Sequence, residues 1–201
     1  LYQQLLDDSA HHYPALGLPQ LVGDTDAQAL FTTEASVPGV FTRQAWEGSV
    51  RHAIDAIAEA RREEIDWVLS DQPADVDTRL SPDQLRARLT ERYFQDYASA
   101  WQDLLNSLRW QQAASLDESI DQLTLMSDVR QSPLIALLNS VAYQAQAGSR
   151  PQALADSLVQ SAQKLIGPDK APAIEPLAQA ATGPLAATFG PLLALLDKSN
   201  T

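Results

Sequence analysis

Three histidines, His11, His12 and His52, and a crowd of carboxylates are the groups in this chain able to bind a metal or move a proton. His11 and His12 follow Asp7 and Asp8 at four-residue spacing, which on a helix brings each carboxylate beside an imidazole, a pairing a metal site could use. Adjacent histidines point to different sides of a helix, and no third ligand stands at a workable distance. These four residues therefore read as an exposed polar terminus. His52, near Asp55 and Glu59, reads as a surface or boundary residue. Glu63 with Glu64, and Asp7 with Asp8, raise glycoside hydrolysis, which needs two acids about 5 to 9.5 Å apart across a cleft in different environments. Neighbours on one exposed helix do not supply that arrangement, and a chain with 26 acids contains such pairs by chance. No residue is expected to be catalytic, to hold a cofactor or to ligate a metal.

Other chemistry lacks its residues. The chain has no cysteine, which removes disulfides, thiol nucleophiles and thiolate zinc sites. It contains no G-x-S-x-G elbow, phosphate-binding loop, G-x-G-x-x-G or H-E-x-x-H. The aromatics Trp46, Trp67, Tyr93, Tyr97, Trp101 and Trp110 could form a binding platform, but at helical spacing such rings read as core, with their polar atoms seeking partners. Asp96, beside Tyr97 and near Arg92, reads as a group that positions a neighbour or pairs with an arginine.

The elements that would position these groups are helices. In residues 81–108, Ser81 is a natural N-cap, Pro82 suits the first helical position, and Gln84 completes a capping box. Leu85, Leu89, Tyr93, Tyr97, Trp101, Leu104 and Leu108 then follow three or four apart and share one face. A second long helix is expected from about Arg43 to Leu69, capped by Thr42, with Trp46, Val50, Ile54, Ile57, Ile65 and Val68 inside. Ser115 and Glu118 suggest another capping box, opening a helix with Leu116, Ile120, Leu123 and Met126 inward. Ser132-Pro133 opens the next, with Leu134, Leu137, Leu138 and Val141 inside and Gly148 as its stop. Residues 1–36 are expected to hold a short helix through Asp8, an irregular stretch over Tyr13–Pro19 and another short helix over Asp24–Phe31. Pro151 should open a helix closed by Gly167-Pro168, and Pro172, Pro176, Pro184 and Pro191 should cut the remainder into short pieces.

No run shows sustained alternation of β-branched residues, so the expected fold is all-α. It should be an elongated bundle of about six to eight helices. Residues 1–147 form the main helical domain, and 148–201 add short helices leading toward a further C-terminal domain. The expected structural core is Trp46, Trp67, Tyr93, Tyr97, Trp101, Leu104, Leu108 and Leu137.

Composition bounds the function. The 201 residues suffice for one domain with a real core, and 45% hydrophobic content is ordinary for a globular chain. A net charge of −12 argues against nucleic acid and against an anionic membrane surface. Eleven arginines outnumber three lysines and are interleaved with acids, as in Glu59-Ala-Arg61-Arg62-Glu63-Glu64, the pattern of a solvated helix face. No stretch approaches the roughly 18 to 20 apolar residues that span a bilayer. The chain opens on Leu-Tyr-Gln-Gln without Met or signal peptide and reads as a piece of a longer protein.

Four groups of residues in order carry a resemblance. They are Val37-Pro38-Gly39-Val40-Phe41-Thr42; Asp66-Trp67-Val68-Leu69; Tyr93 and Asp96-Tyr97 with Trp101, Leu104, Leu105 and Leu108; and Ser132-Pro133-Leu134 with Leu137, Leu138 and Val141. Over about residues 37–145 they resemble the IcmF-related helical region of the TssM/IcmF family, inner-membrane proteins of the type VI secretion system. Phe189-Gly-Pro-Leu-Leu-Ala-Leu-Leu is similar to a segment that follows in that family. The resemblance implies a periplasmic part of an inner-membrane protein. It implies a scaffold joining an outer-membrane lipoprotein (TssJ) and a second inner-membrane protein (TssL), with lipoprotein contact through a β-rich part beyond this chain and self-association open to it in the full complex. Two other readings compete: an acidic helical adaptor that holds secreted cargo in an exposed apolar groove, and a cell-wall-cleaving enzyme with two converging acids.

Overall fold

Capping chemistry and apolar periodicity set where the helices begin. The computed structural model describes the backbone of residues 2–71, 81–128, 130–149 and 183–196, with side chains described except at 63–71 and 195–196. Helix α1 is Tyr2–Ala10 and α2 is Leu18–Val22. Arg43–Ala45 (α3), a π-helical turn at Trp46–Val50 and Arg51–Asp71 (α4) run on as one helix. Then come α5 at Pro82–Ser107, α6 at Leu116–Ser127, α7 at Pro133–Gln144 and α8 at Ala186–Leu196. The fold is all-α.

Two antiparallel pairings of two residues each accompany the helices. Strands β1 (Leu16–Gly17) and β3 (Ser36–Val37) pair Leu16 with Val37, and β2 (Phe31–Thr32) and β4 (Arg109–Trp110) pair Phe31 with Trp110. Two residues are too few to show a period, so the sequence held no sign of them. Asp24–Phe31 forms a 3-10 turn at Ala27–Ala29 and then β2, a correction to the short helix expected there. The Tyr13–Pro19 stretch is shorter as an irregular segment than expected, because Pro19 occupies the first turn of α2.

The caps are specific. Ser81 Oγ accepts from Gln84 N at 3.2 Å while Ser81 N donates to Gln84 Oε1 at 3.0 Å, a complete box. Thr42 Oγ1 accepts from Ala45 N at 3.2 Å. Ser115 Oγ accepts from Glu118 N, but the Glu118 carboxylate reaches back one residue further, to Ala114 N at 2.6 Å. Gly148, past the end of α7, has φ 75°, and a Cβ there would stand 2.4 Å from the Phe94 ring, so only glycine fits.

One core gathers elements from α1 to α8. Leu5 and Leu6 of α1, Leu21 of α2, Trp46, Val50 and Ile54, the inner face of α5, and Leu137 and Val141 of α7 belong to it. Leu185, Phe189 and Leu193 bring α8 into the same core. Pro191 lies inside α8 and does not cut it, contrary to expectation. Gly190 before it has no Cβ to meet the proline ring, and the buried residues on either side hold the turn together. Trp67, Ile65 and Val68 fall where side chains are not described, and the helix expected from Pro151 to Gly167 lies outside the described residues.

Candidate functional site

The densest constellation of distinctive side chains is an aromatic spine on α5. Tyr93, Tyr97 and Trp101 are fully buried, and Leu104 and Leu137 nearly so. Trp46 stacks on Tyr93 at 5.2 Å between ring centroids and meets Phe94 at 4.7 Å, while Tyr97 and Trp101 stack at 6.4 Å. Leu108 is only half-buried: it follows Ser107, the last residue of α5, and the backbone turns extended there.

Tyr93, Tyr97 and Trp101 each carry a polar atom that donates to a backbone carbonyl. Tyr93 Oη donates to Val40 O and Trp101 Nε1 to Phe41 O, both at 2.8 Å. Tyr97 Oη donates to Gln144 O at 2.9 Å, with Gln144 Oε1 at 3.1 Å as an alternative acceptor. A buried phenol or indole without such a partner would cost free energy, so these bonds fix which backbone the spine must face. They explain the Val37–Thr42 motif physically: its turn presents two carbonyls to α5. Gly39 in that turn lies so close to Tyr13 O that a Cβ would overlap it at 2.1 Å.

Burial, first among its causes, pushes the Tyr97 phenol well above its ordinary value, and neighbouring Tyr93 adds to the shift. Burial raises Tyr93 too. Tyr2 is raised by burial and by its hydrogen bond to Asp96 Oδ2 at 2.8 Å. All three phenols remain protonated donors at neutral pH.

A second junction completes the site. Gln144 Oε1 accepts from Arg43 N at 2.7 Å, and Arg43 Nη1 donates to Gln146 Oε1 at 3.1 Å. The Arg43 guanidinium also pairs with Glu47 at 2.7 Å and lies 4.7 Å from the centre of the Tyr143 ring. Thus the start of α3, the end of α7 and the middle of α5 meet at Gln144.

Beside this junction opens a cleft of about 810 Å³, lined by Tyr13, Gln20, Gln44, Glu47, Asn139 and Tyr143 among others. Glu47 is the one carboxylate among the described lining residues, and Arg43 holds it. Facing acids for glycoside hydrolysis are therefore not brought together here.

The remaining candidates from the sequence are dispersed. His11 Nδ1 lies 2.7 Å from Asp7 O and His12 Nδ1 3.2 Å from Asp8 O, so the imidazoles meet backbone carbonyls and not the carboxylates. His52 is exposed; Asp55 pairs with Arg86 at 2.9 Å and Glu59 with Arg62 at 2.9 Å. Asp96 takes Arg92 at 3.2 Å besides Tyr2. Glu63 and Glu64 have no described side chains. Among the described residues no group of three His, Cys, Asp or Glu is placed to hold a metal.

Sequence reasoning missed Gln144, Phe94 and Tyr2. A buried glutamine has no periodic signature, and Phe94 sits one residue beside the stripe. The helix α6 is a correction: Leu116, Ile120 and Leu123 were expected inward and are 76%, 52% and 58% exposed. Gln122 is buried in their place, its Nε2 donating to Ala29 O and Gln111 O at 3.0 Å each, and Met126 is half-buried.

Comparison with known proteins gives this arrangement a context. A solved structure described as a type VI secretion system membrane core complex is similar over 100% of this chain, at 38% identity with a TM-score of 0.71. This chain covers 31% of the length of that one. A second, described as a type VI membrane complex, is 42% identical over 71% of this chain and 26% of its own, with a TM-score of 0.42. No curated protein matches. The family model described as "IcmF-related: Intracellular multiplication and human macrophage-killing" matches residues 1–146, so the likeness reaches 36 residues further toward the start than the motifs from Val37 onward indicated. Spanning well over half of the chain, that match shows that this protein belongs to the IcmF-related family.

Proposed function

We propose that this chain is a non-catalytic, periplasmic scaffold segment of a type VI secretion membrane complex, helping to link an inner-membrane anchor to an outer-membrane lipoprotein. Membership of the IcmF-related family and the likeness to a membrane core complex support a place in that assembly. The observation that carries the scaffold reading is the junction at Gln144. Three segments far apart in sequence are joined there by hydrogen bonds from Tyr97 and Arg43, which suits transmission of position. The partners are other components of the complex, the lipoprotein TssJ and the inner-membrane protein TssL, with the lipoprotein met beyond this chain. None of the described helices is long and apolar enough to cross a membrane, so anchoring would fall to other parts of the protein.

The test uses the full-length protein in secreting cells. A reporter active only in the periplasm, inserted at Ser149, is expected to be active. Loosening the junction with Arg43→Ala and Gln144→Ala is expected to lower both effector release and recovery of TssJ and TssL with the protein, at unchanged protein level. Glu47→Gln is expected to leave cell-wall turnover as it is. Lost wall turnover in Glu47→Gln, or normal secretion with the junction loosened, would overturn the reading.

A further inference from the structure

Helix α6 turns an aliphatic row to solvent. Leu116, Ile120 and Leu123 stand at i, i+4 and i+7, the spacing of anchors by which one helix seats on another. Singly exposed leucines are ordinary, but three in one row are a recognition pattern. The orientation is fixed from the other side. Gln122, 6% exposed, spends its amide on Ala29 O and Gln111 O, and rolling α6 inward would strip both carbonyls of their donor. The Ser115 cap and the Glu118 bond to Ala114 N hold the start of the helix in the same setting.

Charge selects the occupant. Asp117 and Asp121, four residues apart and both exposed, form the neighbouring ridge, about 100° round the helix from Leu116 and Ile120. No basic residue occurs in α6 or in the Gln111–Ser115 segment leading to it. A second copy of this chain would bring the same acids to the same row on a molecule of net charge −12, and like charges there oppose pairing. Resting on the membrane-complex reading above, we propose that this face of α6 docks an amphipathic helix of another protein in that complex. Its apolar ridge seats on Leu116, Ile120 and Leu123, and its Lys or Arg side chains meet Asp117 and Asp121.

The experiment places a photo-crosslinking benzoylphenylalanine at Ile120 of the full-length protein in secreting cells, with the same group at exposed Arg88 on α5 as control. The same cells are used to purify the protein with its associated complex. Expected is a crosslink from Ile120, absent from Arg88, to a peptide of another complex component with apolar residues at helical spacing and flanking Lys or Arg. Asp117→Lys with Asp121→Lys should lower its yield about fivefold, the worth of roughly 1 kcal/mol of exposed ion pairing. Reversing the partner's basic residues should restore it. Crosslinks to a second copy, to residues 151–166 of the same chain or to an acidic segment would overturn the proposal, as would no crosslink from Ile120. If the protein co-purifies with the complex while Ile120 stays unlinked, the α6 proposal alone falls. If it purifies without those components, the scaffold reading falls and this proposal with it.

Discussion

On α5, Leu89, Tyr93, Tyr97, Trp101 and Leu104 fall three or four apart and are buried, whereas on α6 Leu116, Ile120 and Leu123 fall at the same spacing and face solvent. Both rows satisfy the arithmetic of an amphipathic helix, and that arithmetic fixes only that residues share a face. Polar anchors decide which way the face turns. The α5 rings carry Oη and Nε1 atoms that reach carbonyls of the Val40–Phe41 turn and of Gln144, so the aromatic row is drawn inward. The α6 row is purely aliphatic and has no such tether, while Gln122 on another face does.

The largest effect that would break this contrast is at the spine. Trp101→Ala should cost about 3 to 5 kcal/mol in a denaturant titration, since it opens a ring-sized cavity and frees Phe41 O. Next comes Tyr97→Phe, expected to cost about 1 to 3 kcal/mol by leaving Gln144 O without its donor. The same phenols give a pH signature. Their folded-state pKa values are raised above the unfolded value, so their contribution is fully present below about pH 10 and is lost as pH rises beyond it. Melting temperature should therefore fall above that pH, and less steeply in Tyr97→Phe.

Smaller changes sharpen the comparison. Ser81→Ala removes a complete capping box and should cost about 1 kcal/mol. Ser132, at the start of α7, is buried with no hydrogen-bond partner for its hydroxyl, so Ser132→Ala should be neutral or stabilising in the same melt. Leu123→Ala, on the exposed row, should shift stability by no more than about 0.5 kcal/mol. A loss approaching that of Trp101→Ala would mean the α6 row is packed after all.

Much of the fold was legible in the residues. The capping signals at Thr42, Ser81 and Ser115, the proline starts and the aromatic periodicity place α3 with α4, and α5 through α7, because each rests on contacts within a few residues. What stayed hidden depends on partners distant in sequence. Gln144 gains its role from Arg43 and Tyr97, and the two short strand pairs exist only because the chain folds back. The direction of α6 was hidden for the same reason: it is set by Ala29 and Gln111, outside its own sequence.

Hydroxyl-radical footprinting of the purified full-length protein, read residue by residue, probes both rows in one sample. Tyr93, Tyr97 and Trp101 should be protected while Leu116, Ile120 and Leu123 are modified, even though aromatic rings are chemically the more reactive. Strong labelling of the three rings, with the aliphatic row spared, would contradict the account.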